Sequence, residues 1–143
     1  MEKIVIASDH AGFELKEQLK HELENLKIEV DDKGCYSCES VDYPDFAHKA
    51  SRDVENGIVK RGILICGSGN GMSMVANKYP HVRAALCWNK EIARLARLHN
   101  DANIISLPAR FLSVEDAKEC VNIFLNTPFE GGRHIARIHK IPI

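Results

Sequence analysis

The sequence predicts an α/β fold in three layers, with a five-stranded parallel sheet between helices. Two observations carry that expectation. Short β-branched apolar runs alternate five times with stretches of helical apolar spacing, the pattern of strand-helix-strand crossovers in a parallel sheet. One of these runs passes straight into three glycines at alternate positions, Gly67, Gly69 and Gly71, before a helical spacing resumes.

Taken in order, residues 3–8 read as the first strand, which places Asp9 and His10 at its C-terminal end, and Leu15, Leu19, Leu23 and Leu26 mark an amphipathic helix. A second strand over 27–31 ends at Lys33-Gly34, ahead of Cys35-Tyr-Ser-Cys38. Tyr43-Pro44 opens a helix with Phe46, Ala47, Ala50 and Val54 on its apolar face, stopped by Asn56-Gly57. The third strand, 63–66, ends in Cys66; after the glycines, Met72, Val75 and Ala76 have helical spacing. Residues 82–87 form a fourth strand, with Cys87 a small buried residue, and a helix over 90–98 ends in His99-Asn100-Asp101. The fifth strand spans 102–107. Pro108-Ala-Arg110 breaks the chain, and Ser113-x-x-Asp116 resembles a capping box opening a helix through Phe124 to Thr127. In the tail, helical spacing sets Arg133 and Arg137 on one face, one turn apart; the alternative is a solvated basic helix with Ile135 and Ile138 packing beneath it.

At 143 residues the chain fits one domain, 1–143, with a proper core, and 45% hydrophobic with 27% charged residues is ordinary for a globular protein. The net charge of −1 with dispersed basic residues gives no case for nucleic acid as the main partner. Met1 leads through two charged residues into Ile4-Val-Ile-Ala7, a run too short for a signal peptide or a membrane span, so a cytoplasmic protein is expected. Five cysteines, an odd number, then argue for reduced thiols rather than a disulfide framework.

A strand, a glycine turn and a helix N-terminus together suit an anion, because glycine lets backbone N–H groups approach a ligand closely. The loop is not a Walker A motif, since no Gly-Lys-Ser/Thr ends it, nor a dinucleotide fingerprint, whose spacing differs. Cys66, immediately before the loop, is placed to supply thiolate as a base or nucleophile, or is simply a core cysteine ending a strand. Similar alternatives stand for Asp9 (functional group or helix cap), for His99 (catalyst or favourable charge at a helix C-terminus) and for Arg133 with Arg137 (phosphate clamp or solvated basic face). The Cys35/Cys38 pair lacks the further ligands a structural zinc needs.

Across nearly its whole length the sequence resembles the ribose 5-phosphate isomerase B family, which also contains galactose 6-phosphate isomerase subunits. The resemblance rests on Ser8-Asp-His-Ala-Gly12, Lys33-Gly34, Asp42-Tyr-Pro44, Ile65-Cys-Gly-Ser-Gly-Asn-Gly71, Ala76-Asn-Lys78, His99-Asn-Asp-Ala-Asn103, Gly131-Gly-Arg-His134 and Arg137, in that order. It implies a Rossmann-like fold and an aldose-ketose isomerase that works through a cis-enediolate with no metal or organic cofactor. Cys66 is then the base that takes the C2 proton, and the loop of Gly67, Ser68, Gly69, Asn70 and Gly71 holds the enediolate oxygens. Ser68 relays a proton, His99 opens the furanose ring, and Asp9 assists at the ring oxygens. His10, Arg133 and Arg137 bind the phosphate, while Asn100 and Arg110 contact sugar hydroxyls.

The same resemblance implies homodimers, often paired into tetramers, with sites shared between subunits, and it suggests that His99, Asn100 and Arg110 face a neighbour's Cys66 loop. Cys66 itself, Met72 after the last loop glycine, the His99-Asn100 pair and the Gly-Gly-Arg-His tail favour ribose 5-phosphate over galactose 6-phosphate, with allose 6-phosphate open. Two alternatives from other classes are a non-catalytic sugar-phosphate sensor and a nucleotide-dependent oxidoreductase. Cys66 with His99 argues against the sensor, and the missing fingerprint argues against the oxidoreductase.

Overall fold

All five strands expected from the sequence form, and all four of their pairings are parallel. The computed structural model describes residues 2–143. In chain order the elements are β1 (Lys3–Ser8), α1 (Phe13–Asn25), β2 (Glu29–Asp32), α2 (Tyr43–Glu55), β3 (Arg61–Cys66), α3 (Asn70–Ala76), β4 (Ala84–Leu86), α4 (Lys90–Asn100), β5 (Ile104–Pro108), α5 (Val114–Asn126) and α6 (His134–Ile138). A 3-10 turn, His10–Gly12, joins β1 to α1. The strand order across the sheet is β2-β1-β3-β5-β4.

Alternation along the central strands gives the sheet two apolar faces. Ile4, Ile6, Ile63, Ile65, Ile105 and Leu107 point to the layer of α1, α4 and α5, where Leu19, Leu23, Ala93, Ala117 and Phe124 complete one core. Val5, Ala7, Leu64, Cys66 and Ile104 point to the other layer, against Ala47, Ala50 and Val54 of α2 and Met72 and Ala76 of α3. Cys66 is therefore a member of the α2–α3 core whose position in the strand carries it to the sheet's C-terminal edge.

Element ends differ from expectation for identifiable reasons. β2 begins at Glu29 because Lys27 takes a left-handed φ of 63° in the turn after α1. Leu26 caps that helix and is exposed rather than part of its apolar face. β3 starts earlier, at Arg61, whose side chain donates to the carbonyls of Phe124 (3.3 Å) and Leu125 (2.7 Å) and pairs with Glu2. β4 is shorter than expected, since only Ala84, Ala85 and Leu86 pair with β5. α4 runs longer and takes His99 and Asn100 into its last turn, ending where Asp101 adopts φ 47°.

One buried ion cluster ties α1 to the β2 edge. Lys16 is fully buried, and its Nζ donates to Asp32 Oδ2 at 2.6 Å and to Glu17 Oε1 at 3.1 Å. Lys20 donates to the same Asp32 oxygen at 2.8 Å, and Gly34 N–H donates to Asp32 Oδ1 at 2.8 Å. Burial disfavours the Asp32 carboxylate, but the hydrogen bonds from Lys16, Lys20 and Gly34 outweigh it and hold the group below its usual range.

Candidate active site

Chain direction across the sheet reverses between β1 and β3. β1 leads through α1 to β2 on one side, and β3 leads through α3 toward β4 on the other. A crevice opens outside the C-terminal ends of strands at such a point, and ligands bind there in open α/β sheets. Here it is a cleft of about 400 Å³ lined by Asp9 and His10 after β1, by Cys66, Gly67, Ser68 and Gly71 after β3, by Arg110 and Phe111 after β5, and by Tyr43.

Each of these positions is fixed by local bonding. Asp9 N–H donates to Ile65 O at 3.1 Å, prolonging the β1–β3 ladder by one residue, and Asp9 Oδ1 accepts from Gly12 N–H at 3.0 Å. That second bond satisfies a helix-start donor and fixes the carboxylate, so Asp9 caps the turn while it lines the cleft. His10 Nδ1 accepts from Val41 N–H at 3.1 Å, which assigns the proton of the neutral ring to Nε2, leaving that nitrogen a donor. Cys66 O accepts from Ala109 N–H at 2.9 Å and Gly67 O from Arg110 N–H at 3.0 Å, clamping the loop to the end of β5.

The glycines are needed where they stand. Gly69 has φ 77°, and its carbonyl accepts from Ser106 Oγ at 2.7 Å. At Gly67 a Cβ would lie 3.1 Å from the Arg110 guanidinium, so the absent side chain is what lets that arginine close over the loop. Gly71 faces the Tyr43 ring in the same manner, with a Cβ 2.5 Å from a ring carbon. The N–H groups of Gly67, Ser68 and Gly69 have no backbone acceptor among the described residues, and Ser68 Oγ accepts from Asn70 N–H at 3.3 Å. The loop thus offers several donors and a hydroxyl to one small volume.

Cys66 is 5% exposed and is the one buried cysteine that lines the cleft. Burial pushes the thiols of Cys87 and Cys120 up to about 12 and about 11, which keeps both protonated near neutral pH. Cys35 is buried with Sγ 3.8 Å from Ser8 Oγ, and Cys38 is exposed; neither is in a disulfide.

A second group lies elsewhere on the chain. His99 and Asn100 are on the last turn of α4, and Arg133 and Arg137 are exposed at α6, which packs against α4. None of the four lines the Cys66 cleft of its own chain. His99 stacks on His134, ring centroids 4.5 Å apart and 18° from coplanar. Burial, and next the neighbouring His99, holds the His134 imidazole below its ordinary range.

One expectation and one alternative reading need correction, and two unmarked residues join the cleft. Arg110 sits over its own chain's Gly67 loop, because the register that places Pro108 opposite Cys66 delivers the next turn to that loop; the expectation that it reaches a neighbour's loop does not hold. Ile135 is exposed, and the residue of α6 that packs inward is His134. Tyr43 and Phe111 line the cleft, although the sequence gave neither a site role; Tyr43's place in the Asp42-Tyr-Pro44 fragment and Phe111's place next to Arg110 were the available signals.

A sequence profile of the ribose/galactose isomerase family matches residues 4–141. The ribose-5-phosphate isomerase B of Escherichia coli is 42% identical over 141 residues, spanning 99% of this chain and 95% of that protein. A putative sugar phosphate isomerase of Bacillus subtilis is 45% identical, spanning 97% and 94%. Among solved structures, a ribose 5-phosphate isomerase from Thermotoga maritima superposes with a TM-score of 0.97 at 55% identity, covering 99% of this chain and 97% of that one. A ribose-5-phosphate isomerase B from Mycoplasma genitalium with bound ribulose-5-phosphate gives 0.93 at 43%, covering 97% and 93%.

Proposed function

This chain belongs to the ribose/galactose isomerase family and is an aldose-ketose isomerase, and on that premise we propose that it interconverts ribose 5-phosphate and ribulose 5-phosphate with Cys66 as the proton-transfer base. The observation that carries the residue assignment is the juxtaposition of the Cys66 thiol with the donor-rich loop 67–71 in one cleft. In the open-chain aldose, the thiolate takes the proton from C2. The electron pair moves into a C1–C2 double bond, and negative charge develops on the oxygens. Backbone N–H groups of the loop meet that charge. Return of the proton to C1, with the O2 hydroxyl proton passing to O1, gives the ketose. Ser68, whose oxygen is oriented by Asn70 N–H, is placed to carry the hydroxyl proton.

Asp9, held by Gly12 N–H, faces the ring oxygens, and His10 presents Nε2–H as a donor to the phosphate. Arg110 contacts sugar hydroxyls from above Gly67. His99, Asn100, Arg133 and Arg137 complete the site from another copy of the chain, His99 opening the ring and the two arginines binding phosphate. Support for that division is their absence from their own chain's cleft. The working form is thus a homodimer or tetramer. Among the described residues no helix is long and apolar enough to cross a membrane, consistent with the cytoplasmic location we propose.

The test is ketose formation from ribose 5-phosphate, allose 6-phosphate and galactose 6-phosphate side by side, with chelator and no added cofactor. Ribose 5-phosphate should turn over fastest and the chelator should not slow it. Preference for either hexose phosphate, or loss of turnover with chelator, would overturn the substrate assignment or the metal-free mechanism respectively.

A further inference from the structure

Loop 127–133 returns from α5 to the end of α4 and is pinned there twice. Arg97 Nε donates to Thr127 O at 3.0 Å, and Glu130 N–H donates to Leu98 O at 3.0 Å. Pinning brings the Glu130 carboxylate to the two stacked imidazoles: Glu130 Oε2 lies 3.9 Å from His99 Nε2 and 3.9 Å from His134 Nε2. One ligand atom from each of the three residues lies within 4.8 Å of the other two. Both nitrogens and the oxygen thus converge without any of them hydrogen-bonding another, the separations being beyond hydrogen-bond length.

His134 supplies an independent observation. It is 5% exposed, and its Nε2 is buried with no hydrogen-bond partner among the described residues. A buried ring nitrogen is normally partnered, and this one is left open beside a carboxylate and a second imidazole. Tetrahedral ligation with bonds of about 2.1 Å sets ligand atoms roughly 3.4 Å apart, so the carboxylate needs only a small shift toward each nitrogen, while the stacked rings require the partly exposed His99 imidazole to turn out of the stack for both lone pairs to meet one ion.

We propose that His99, Glu130 and His134 form a binding site for a zinc-class divalent cation. Two imidazoles and one carboxylate are a borderline donor set, which suits Zn²⁺ and disfavours Mg²⁺ and Ca²⁺. His99 and Glu130 are partly exposed in the single chain, so the fourth position opens toward the shared cleft that His99 enters in the proposed dimer, and a cation can enter without unfolding the core. The ligands come from two distant stretches of the chain, and nothing in their spacing announces a metal motif.

Occupancy has a consequence that rests on the ring-opening role given to His99. A cation on His99 Nε2 withholds that nitrogen from the sugar, so bound Zn²⁺ inhibits turnover. The cation is an inhibitor here and takes no part in the proton transfer at Cys66.

Isothermal titration of the full-length reduced protein with ZnCl₂, with MgCl₂ as the comparison, tests the site directly. One equivalent of Zn²⁺ per chain is expected, with no Mg²⁺ binding at the same concentration. Glu130→Gln, a change at an exposed side chain, and His134→Asn should each weaken Zn²⁺ by about tenfold or more, while Cys38→Ser leaves it unchanged. Binding that survives both ligand variants, that disappears in Cys38→Ser, or that never reaches one equivalent overturns the proposal. In parallel, Zn²⁺ should slow ribose 5-phosphate turnover by the wild-type enzyme and much less that by Glu130→Gln. Titration without inhibition would leave the site standing and overturn its link to His99 catalysis.

Discussion

The two halves of the proposed machinery are built differently. Around Cys66 the cleft is held by short bonds within one chain: Asp9 by Gly12, His10 by Val41, and the glycine loop by Ala109, Arg110 and Ser106. At the α4–α6 side, Arg133 and Arg137 are exposed, and His99 rests on another histidine instead of a substrate cleft. The first half is preorganised by the sheet, as stabilising a developing charge requires. The second half consists of long cationic side chains on a surface, and that is how a chain presents groups to something outside itself.

The largest effect that would sharpen this contrast is recovery of activity, at substrate well below the KM of the arginine variant, on mixing two impaired proteins. Cys66→Ala and Arg137→Ala, dissociated and reassociated together, should regain roughly a quarter of wild-type activity, because half the dimers are mixed and each mixed dimer has one intact site. No recovery after verified subunit exchange would place both halves in one chain's site.

Arg137→Ala alone should raise KM about 10- to 100-fold, the loss expected for a charge-assisted hydrogen bond to phosphate, with little change in the melting temperature since the side chain is exposed. An unchanged KM would remove the arginine from the phosphate site.

Stability should divide along a different line. Asp32→Ala leaves Lys16 fully buried with only Glu17 opposite, a change expected to cost about 3 kcal/mol in urea unfolding. The pH dependence follows from the depressed Asp32 pKa. Below its ordinary value near 3.8 the unfolded chain takes up a proton that the folded chain still refuses, so this contribution is complete above that pH and is lost as pH falls through the folded value. The acid limb of stability should therefore be shallower in the variant. A variant as stable as wild type at every pH would show the cluster to be dispensable.

How much of this was legible beforehand follows the same division. Strands and the catalytic edge were readable because apolar periodicity and glycine spacing are local: 3–8 matched β1, and Ser113 caps α5 by accepting from Asp116 N–H at 3.0 Å. Cys66 could be placed at a strand end without any tertiary information. The side on which Arg110 acts could not, since it depends on the β3–β5 register. Nor could the meeting of His99 with Glu130 and His134, which requires loop 127–133 to fold back onto α4. The alternative that packed Ile135 inward does not hold, because a five-residue helix has too few turns for its spacing to define a buried face.

Proton transfer by Cys66 is the claim on which the rest depends. The most direct measurement follows ribose 5-phosphate in D₂O by proton NMR, with wild type and Cys66→Ala at equal concentration and matched folding by circular dichroism. Loss of C2–H exchange and of ketose formation together, by about 10²-fold or more, is the predicted result. Exchange at a near-wild-type rate in the alanine variant would mean that another group takes the proton, and the cleft would need a different base.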